Sequence, residues 1–172
     1  PHRDMEIITV MVEGELEHCD SLGHRERLQA GEVQRMSAGS GVRHSEINPG
    51  SSPCRLLQIW IEPDRLGLPP SYEQRLFPPA AGWMPLLDPQ RQAGAMAIAR
   101  AVRLWRARPA GGESLNVPCA AGSLAWLQVI DGGLEAPWAL VRGDGLGWRP
   151  GPAPLPLQVA PGGADLLLFE LA

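Results

Sequence analysis

The sequence predicts an all-β protein of two tandem β-barrel domains, and three observations support this. First, 20 glycines and 18 prolines interrupt the chain at short intervals, so no stretch carries the apolar period of a long helix. Second, the segments between these breaks are short and rich in β-branched or alternating residues, which is typical of strands. Third, a strand, an acidic-Gly turn and a Leu-Glu return strand occur twice, around Gly14 and Gly132. The offset of 118 residues between the two glycines suits two tandem domains rather than a solenoid.

Each predicted strand is an alternating or β-branched segment bounded by turn-forming residues. In the first part of the chain the predicted strands are 5–12, 15–19, 32–36, 43–47 and 55–61, separated by turns at 21–23, 30–31, 39–41 and 49–50. In the second part they are 95–108, 114–117, 125–130, 138–141 and 165–171, separated by turns that include 111–112, 131–133 and 161–163. Many short strands at even spacing indicate a sandwich or a barrel.

The proline-rich stretch 63–70 is predicted to be a linker between domains at 1–62 and 71–172. Only 13 residues precede Gly14, whereas the second copy has a much longer segment before Gly132. We therefore expect the first barrel to be incomplete at its N-terminal side. Missing strands would leave an open sheet edge, which predicts self-association into a homo-oligomer through residues 1–62.

Composition excludes several classes of protein. The net charge is −4, and the 15 basic residues, all arginine, form no run, so direct nucleic-acid binding is not indicated. No apolar stretch approaches the roughly 18–20 residues of a membrane span, and no signal segment opens the chain. The three cysteines are far apart and form no C-x-x-C pair, which argues against disulfides or a cysteine zinc site. We expect a cytoplasmic protein.

The four histidines all lie within the first 44 residues, so any histidine metal site belongs to the first domain. Two-residue alternation places His44 and Glu46 on one face of a predicted strand, and His2 lies just before another strand. Two imidazoles and one carboxylate suit Fe(II), with Mn, Ni and Zn also compatible. A histidine and a glutamate two residues apart also occur on ordinary strand surfaces, and the bare pattern alone favours that interpretation.

Other chemically notable residues are interpreted as structural. His18 and His24 flank a predicted hairpin turn and are expected to be solvated. Cys119 has no histidine in its domain and is expected in the core. Segment 36–42 lacks the helix and lysine of a phosphate loop and is read as a turn that aims His44 inward. The six tryptophans are expected in core or inter-domain packing, with only Trp148 exposed.

Several segments make the sequence resemble the pirin family. They are PHRDMEIIT at 1–9, EGELEH at 13–18, DS at 20–21, GEVQRMSAGSGVRHSE at 31–46, LQIWIEP at 57–63 and YEQ at 72–74. The resemblance implies two tandem cupin domains in one chain, with a metal, usually iron, in the N-terminal one. The family's ligands are a His-x-His pair, a later His and a Glu two residues beyond it. By motif His2, His44 and Glu46 correspond to three of these, and the first His would fall immediately before Pro1.

The resemblance also implies a function. Some pirins have a quercetinase-type dioxygenase activity on flavonol-like substrates, in which Glu46 would act as a base, as a ligand, or as each in turn. An alternative is a non-enzymatic, metal- or redox-responsive regulator that acts through a protein partner. Because one family ligand and the opening strands lie outside the sequence, we expect the metal to be weakly held or absent and the activity to be reduced.

Overall fold

The computed structural model describes residues 1–171, and these residues form β-structure almost throughout. The strands are β1 (Glu6–Glu13), β2 (Glu15–Asp20), β3 (Arg25–Gln29), β4 (Glu32–Ser37), β5 (His44–Ile47), β6 (Arg55–Ile61), β7 (Ser71–Leu76), β8 (Met84–Leu87), β9 (Val102–Ala107), β10 (Ser114–Asn116), β11 (Leu124–Ala136), β12 (Leu140–Val141), β13 (Gly145–Trp148) and β14 (Pro156–Leu171). A single short 3-10 turn, Gln92–Gly94, is the one helical element in the part described. The predicted all-β class is therefore confirmed. Across these 171 residues no helix has the length and apolar character that crossing a bilayer requires.

The chain divides into two compact units, as predicted, but at a different place. Unit 1 comprises residues 1–78 and 96–100, and unit 2 comprises residues 79–95 and 101–172. The predicted linker 63–70 lies inside unit 1, because its backbone is tied down there: Ser40 N donates to Leu68 O at 2.8 Å, and Asp64 N donates to Ala99 O at 2.8 Å. Strand β7 follows it and pairs with β4. The domain boundary thus falls after Pro78 rather than at 63–70.

Unit 1 contains two antiparallel sheets. One has the strand order β6-β1-β4-β7, and the other has the order β3-β2-β5. A buried cluster draws side chains from both sheets: Met11 and Leu56 from the first, and Leu16 and Leu28 from the second. This shared interior positions the inward face of β2 opposite the inward face of β6.

Unit 2 is built on one larger sheet with the order β12-β11-β14-β9-β8, to which β10 and β13 are added. Its long strands β11 and β14 pair antiparallel over most of their length, with several register shifts. Its core is a cluster of aliphatic residues, namely Leu127, Val129, Leu134, Leu157, Val159, Leu166 and Leu168. Strands occur in each region of unit 2 where they were predicted, but β9 begins at Val102 rather than at residue 95. Strands β11 and β14 also continue through the predicted turns at 131–133 and 161–163.

The two glycines of the repeated motif both occupy backbone conformations that favour glycine. Gly14 has a φ of 73° and Gly132 has a φ of 66°. A Cβ atom would collide with the carbonyl oxygen of Pro53 at the first position and with that of Gly163 at the second. Each glycine thus lets the chain reverse or bend next to another backbone, which is the local reason for the repeat.

The tryptophans depart from their predicted burial. Trp60 and Trp126 are 55% and 43% exposed, respectively, whereas Trp148 packs against the core of unit 2 and against Trp138. The prediction that only Trp148 is exposed is therefore wrong. Cys119 contacts the same core. Burial, with a smaller contribution from the charge of Glu170, raises the pKa of its thiol to about 12, which rules out a thiolate nucleophile at neutral pH.

Candidate metal centre

Strand β5 places His44 and Glu46 on one face, as the alternation predicts. His44 Nδ1 lies 3.8 Å from Glu46 Oε1, and the two side chains are only 10% and 15% exposed. The intervening Ser45 is exposed on the other face. The turn before β5 contains Gly39 and Gly41, both with positive φ, and it is closed by a hydrogen bond from Gly41 N to Ala38 O. This turn directs His44 inward, as expected.

The structure corrects the prediction for His18, which is fully buried rather than solvated. His18 lies on β2 directly opposite Glu46 of β5, and its Nδ1 atom is 3.6 Å from Glu46 Oε1. Its burial follows from alternation, because Leu16, two residues earlier on the same strand, is also buried. The position of His18 two residues after the apolar Leu16 was the feature of the sequence that could have predicted this burial.

Asp20 fixes the orientation of His18. Its Oδ2 atom lies 3.2 Å from His18 Nε2 and 2.9 Å from His24 Nδ1, and its side chain is fully buried. A hydrogen bond donated by Nε2 to this carboxylate leaves Nδ1 of the neutral ring as the atom with a free lone pair. His24 remains partly exposed at 37%, so its predicted solvation is only partly correct.

Two glutamine amides hold the carboxylate of Glu46. Gln34 Nε2 donates to Oε1 at 3.1 Å, and Gln58 Nε2 donates to Oε2 at 2.7 Å. The hydroxyl of Tyr72 lies 3.2 Å from Gln34 Oε1, so the amide of Gln34 is itself oriented. Glu46, on β5 of one sheet, is thereby held by two strands of the other sheet, β4 and β6.

Three ligand-type atoms converge at this point. One each from His18, His44 and Glu46 lie within 4.8 Å of one another. Among the described residues, the buried Nδ1 atoms of His18 and His44 have no hydrogen-bond partner. Buried polar atoms are rarely left in this state. Two unpartnered imidazole nitrogens facing one carboxylate oxygen match the donor set of a divalent metal ion.

His2, the third predicted ligand, is not one of the three converging residues but lies next to them. Its backbone forms a bridge with Val42, and its ring centroid is 5.0 Å from that of His44. The ring centroid of His18 is 5.4 Å from that of His44. His44 is therefore a neighbour of both rings.

The electrostatics of the cluster favour a charged carboxylate. Burial alone would raise the pKa of Glu46, but the neighbouring imidazole of His18 and the amide of Gln34 lower it overall. Burial also acts to lower the pKa of His18, yet Glu46 and Asp20 stabilise its protonated form and raise the pKa overall. Burial is the main reason that the pKa of His44 is lowered, and the neighbouring His18 and His2 add to this effect against the opposing charge of Glu46. An unprotonated His44 beside an ionised Glu46 is the form that a metal requires.

A cavity of about 430 Å³ lies beside His2. Its lining consists of Pro1, His2, Arg3, Ser21, Gly41, Val42 and Arg43. An enzyme that acts on a flat aromatic ligand is expected to have an open, apolar pocket next to His44. The observed lining instead mixes two arginines with small and apolar groups.

Segments of both units match known protein families. Residues 1–61 match the family described as Pirin, and residues 86–171 match the quercetinase C-terminal cupin domain. The chain is 43% identical over 133 residues to a quercetin 2,3-dioxygenase from Escherichia coli K12, covering 77% of this chain and 58% of that relative. It therefore spans less than two thirds of that relative's length.

The fold agrees with solved structures over nearly its whole length. The crystal structure of YhhW from E. coli superposes with a TM-score of 0.91 at 37% identity, covering 99% of this chain and 73% of that one. A second structure, of bacterial pirin YhhW in complex with nickel(II), superposes with a TM-score of 0.89 at the same identity and coverage.

The two units and the buried cluster define a bicupin whose N-terminal domain carries a metal-site-like group and whose C-terminal domain is of the quercetinase type. More specifically, this chain belongs to the pirin family.

Proposed function

We propose that unit 1 binds a divalent metal ion and that the protein acts as a quercetinase-type dioxygenase on flavonol-like substrates. The observation that supports the metal most directly is the pair of buried, unpartnered Nδ1 atoms of His18 and His44 facing Glu46. His44 and Glu46 belong to both the predicted ligand set and the observed cluster. The imidazoles of His2 and His18, on either side of His44, complete the proposed set.

This donor set narrows the choice of metal. Imidazoles with one carboxylate suit Fe(II), Mn, Ni and Zn, and we propose Fe(II) as the working ion. Asp20 would orient the ligand His18 without binding the metal itself. A histidine that binds metal through one ring nitrogen commonly donates a hydrogen bond from the other to a carboxylate, which fixes the ring.

The proposed chemistry assigns one role to each part of the site. A bound divalent metal would lower the pKa of an enolic hydroxyl placed against it. Glu46 is ionised and can accept the hydroxyl proton, and Gln34 and Gln58 hold its two oxygens in place for that transfer. The arginines Arg3 and Arg43 of the adjacent cavity offer donors to the other oxygens of a polyhydroxylated ring.

Metal titration by calorimetry, on protein freed of metal with a chelator, tests the proposed site. Glu46→Gln and His44→Ala should each weaken Fe(II) or Ni(II) binding by at least about 100-fold, since each removes a ligand that belongs to both the predicted set and the observed cluster. His2→Ala and His18→Ala should each weaken it by a smaller but clear factor. His24→Ala is the matched control, because it removes a histidine that contacts Asp20 but not Glu46, and its affinity should stay within a few-fold of wild type.

Oxygen uptake with quercetin tests the proposed reaction separately. Metal-loaded protein should consume oxygen with quercetin, and Glu46→Gln should not. Stoichiometric metal without oxygen uptake would contradict the dioxygenase and favour the regulatory alternative. Metal affinities of all four ligand variants that equal that of wild type would contradict the site itself.

A further inference from the structure

Trp60 is a large apolar side chain placed at the edge of the metal cluster. Strand β6 alternates, so Leu56, Gln58 and Trp60 share one face. Leu56 packs into the interior cluster of unit 1, and Gln58 reaches Glu46. Trp60 therefore lies on the inward face of the strand, yet 55% of it is exposed. More than half of the indole is therefore accessible to solvent in this structure.

The orientation of the indole is set by two contacts. Its Nε1 atom donates to Gln58 Oε1 at 3.1 Å, while the other end of the same amide, Nε2, donates to Glu46 Oε2 at 2.7 Å. The ring of His2 stands nearly perpendicular to it, with centroids 5.0 Å apart and an interplanar angle of 78°. The indole thus has a fixed position relative to both Glu46 and His2.

We infer that the exposed surface of Trp60 is an aromatic subsite on which a planar, hydroxylated ring of the substrate stacks. A large apolar side chain held rigidly in the open is suited to binding a flat aromatic partner, because stacking adds to the burial of apolar area and few rotamers are lost. The amide bridge through Gln58 sets the distance between the stacked ring and the carboxylate. This inference deepens the proposed function and rests on it for the class of ligand.

Binding of quercetin under anaerobic conditions tests the subsite without turnover. The dissociation constant is measured by calorimetry on metal-free and on metal-loaded protein, and the indole N–H signals are followed by NMR with ¹⁵N-labelled tryptophan. Trp60→Ala should weaken binding about tenfold in both forms, which corresponds to about 1.4 kcal/mol. Trp60→Phe, which keeps an aromatic ring, should weaken it only about two- to threefold. The Trp60 indole signal should shift most on addition of quercetin.

Trp126→Ala is the matched control, since Trp126 is also an exposed indole, 43% accessible, but belongs to unit 2. Its affinity for quercetin should equal that of wild type. Gln58→Ala breaks the amide bridge and should weaken binding by a factor between those of the two Trp60 variants. The folding of each variant is checked by circular dichroism and by its thermal unfolding.

The outcomes separate this inference from the proposed function. Equal affinities for Trp60→Ala and Trp126→Ala would overturn the subsite, even if wild type turns quercetin over. Tenfold weaker binding by Trp60→Ala without oxygen uptake by wild type would support the subsite and contradict the dioxygenase. A change in sedimentation mass for Trp60→Ala, with quercetin affinity unchanged, would show a contact between copies instead and would also overturn the subsite.

Discussion

The two units use the same local device but fill their interiors differently. In unit 1 the strand after Gly14 carries His18 opposite Glu46. In unit 2 the last part of β11, after Gly132, carries Leu134 opposite Val159, and both of these side chains are buried. A glycine with positive φ, followed by residues paired across antiparallel strands, is therefore compatible with either a polar or an apolar interior.

The difference has an energetic meaning. The aliphatic side chains in the core of unit 2 pack against one another, and the burial of their apolar surface stabilises the fold. These side chains contain no atom that could bind a metal ion. In unit 1 the Nδ1 atoms of His18 and His44 are buried without a partner, which destabilises the metal-free fold. The proposed metal site and the stabilising apolar interior thus lie in different units of the chain.

A charge placed in the interior of unit 2 should give the largest effect. Val159 is fully buried among aliphatic neighbours, so Val159→Glu should lower the free energy of unfolding by about 4 kcal/mol or more. Urea denaturation measures this. Val141→Glu is the matched control, because Val141 is 65% exposed and should lose less than about 0.5 kcal/mol. Comparable losses in the two variants would show that the interior of unit 2 tolerates charge.

Asp88 tests whether unit 2 tolerates charge where every polar atom is paired. It is 4% exposed, and it accepts hydrogen bonds from the backbone of Gln90 and Gln92 and from Arg103 Nε at 3.0 Å. Asp88→Asn should lower stability at pH 7 by about 2 kcal/mol, because charge-assisted bonds are lost.

The pH dependence of that difference has a definite sign. Although burial acts to raise it, hydrogen bonds from Gln90, Gln92 and Arg103 lower the pKa of Asp88 below its ordinary value of 3.8. The ionised carboxylate therefore stabilises the fold fully above about pH 4, and this contribution is lost as the pH falls further. Stability curves of wild type and Asp88→Asn should converge in acid. A gap that widens below pH 4 would contradict the assignment, and Asp144→Asn, at an exposed aspartate, serves as the control.

His44→Leu should have the smallest effect, with the opposite sign. It makes unit 1 more like unit 2 by removing one unpartnered nitrogen, so metal-free protein should gain about 1 kcal/mol of stability. Thermal or urea unfolding in the presence of a chelator measures this. With saturating Ni(II) the order should reverse, since only wild type is stabilised by binding. His24→Leu, which removes a hydrogen-bonded and partly exposed ring, should not stabilise the protein under either condition.

Local alternation explains what the sequence could predict. The face shared by His44 and Glu46 depends only on the two-residue period of one strand, and the turn glycines at 14 and 132 depend only on local backbone. Both were therefore predictable. The pirin-like motifs added the family and the bicupin fold, which a single strand pattern could not specify.

Contacts between distant segments explain what was missed. The role of His18 depends on the pairing of β2 with β5 and on the carboxylate of Asp20, and neither contact is visible in a hairpin read by itself. The segment 63–70 has the composition of a linker, yet hydrogen bonds to Ser40 and Ala99 hold it in unit 1. The exposure of Trp60 was missed because alternation assigns a face but cannot show that β6 ends its sheet.

The two units are not two consecutive halves of the sequence, because unit 1 is built from two separate segments of the chain. The chain leaves unit 1 after residue 78, returns to it for residues 96–100, and leaves again. In that short return, Arg100 pairs with Asp64 at 3.2 Å, and Met96 and Ile98 are buried. A single cut in the chain therefore cannot release unit 1 intact. A chimaera that replaced the second half of this protein would have to keep residues 96–100 with the first half for unit 1 to be complete.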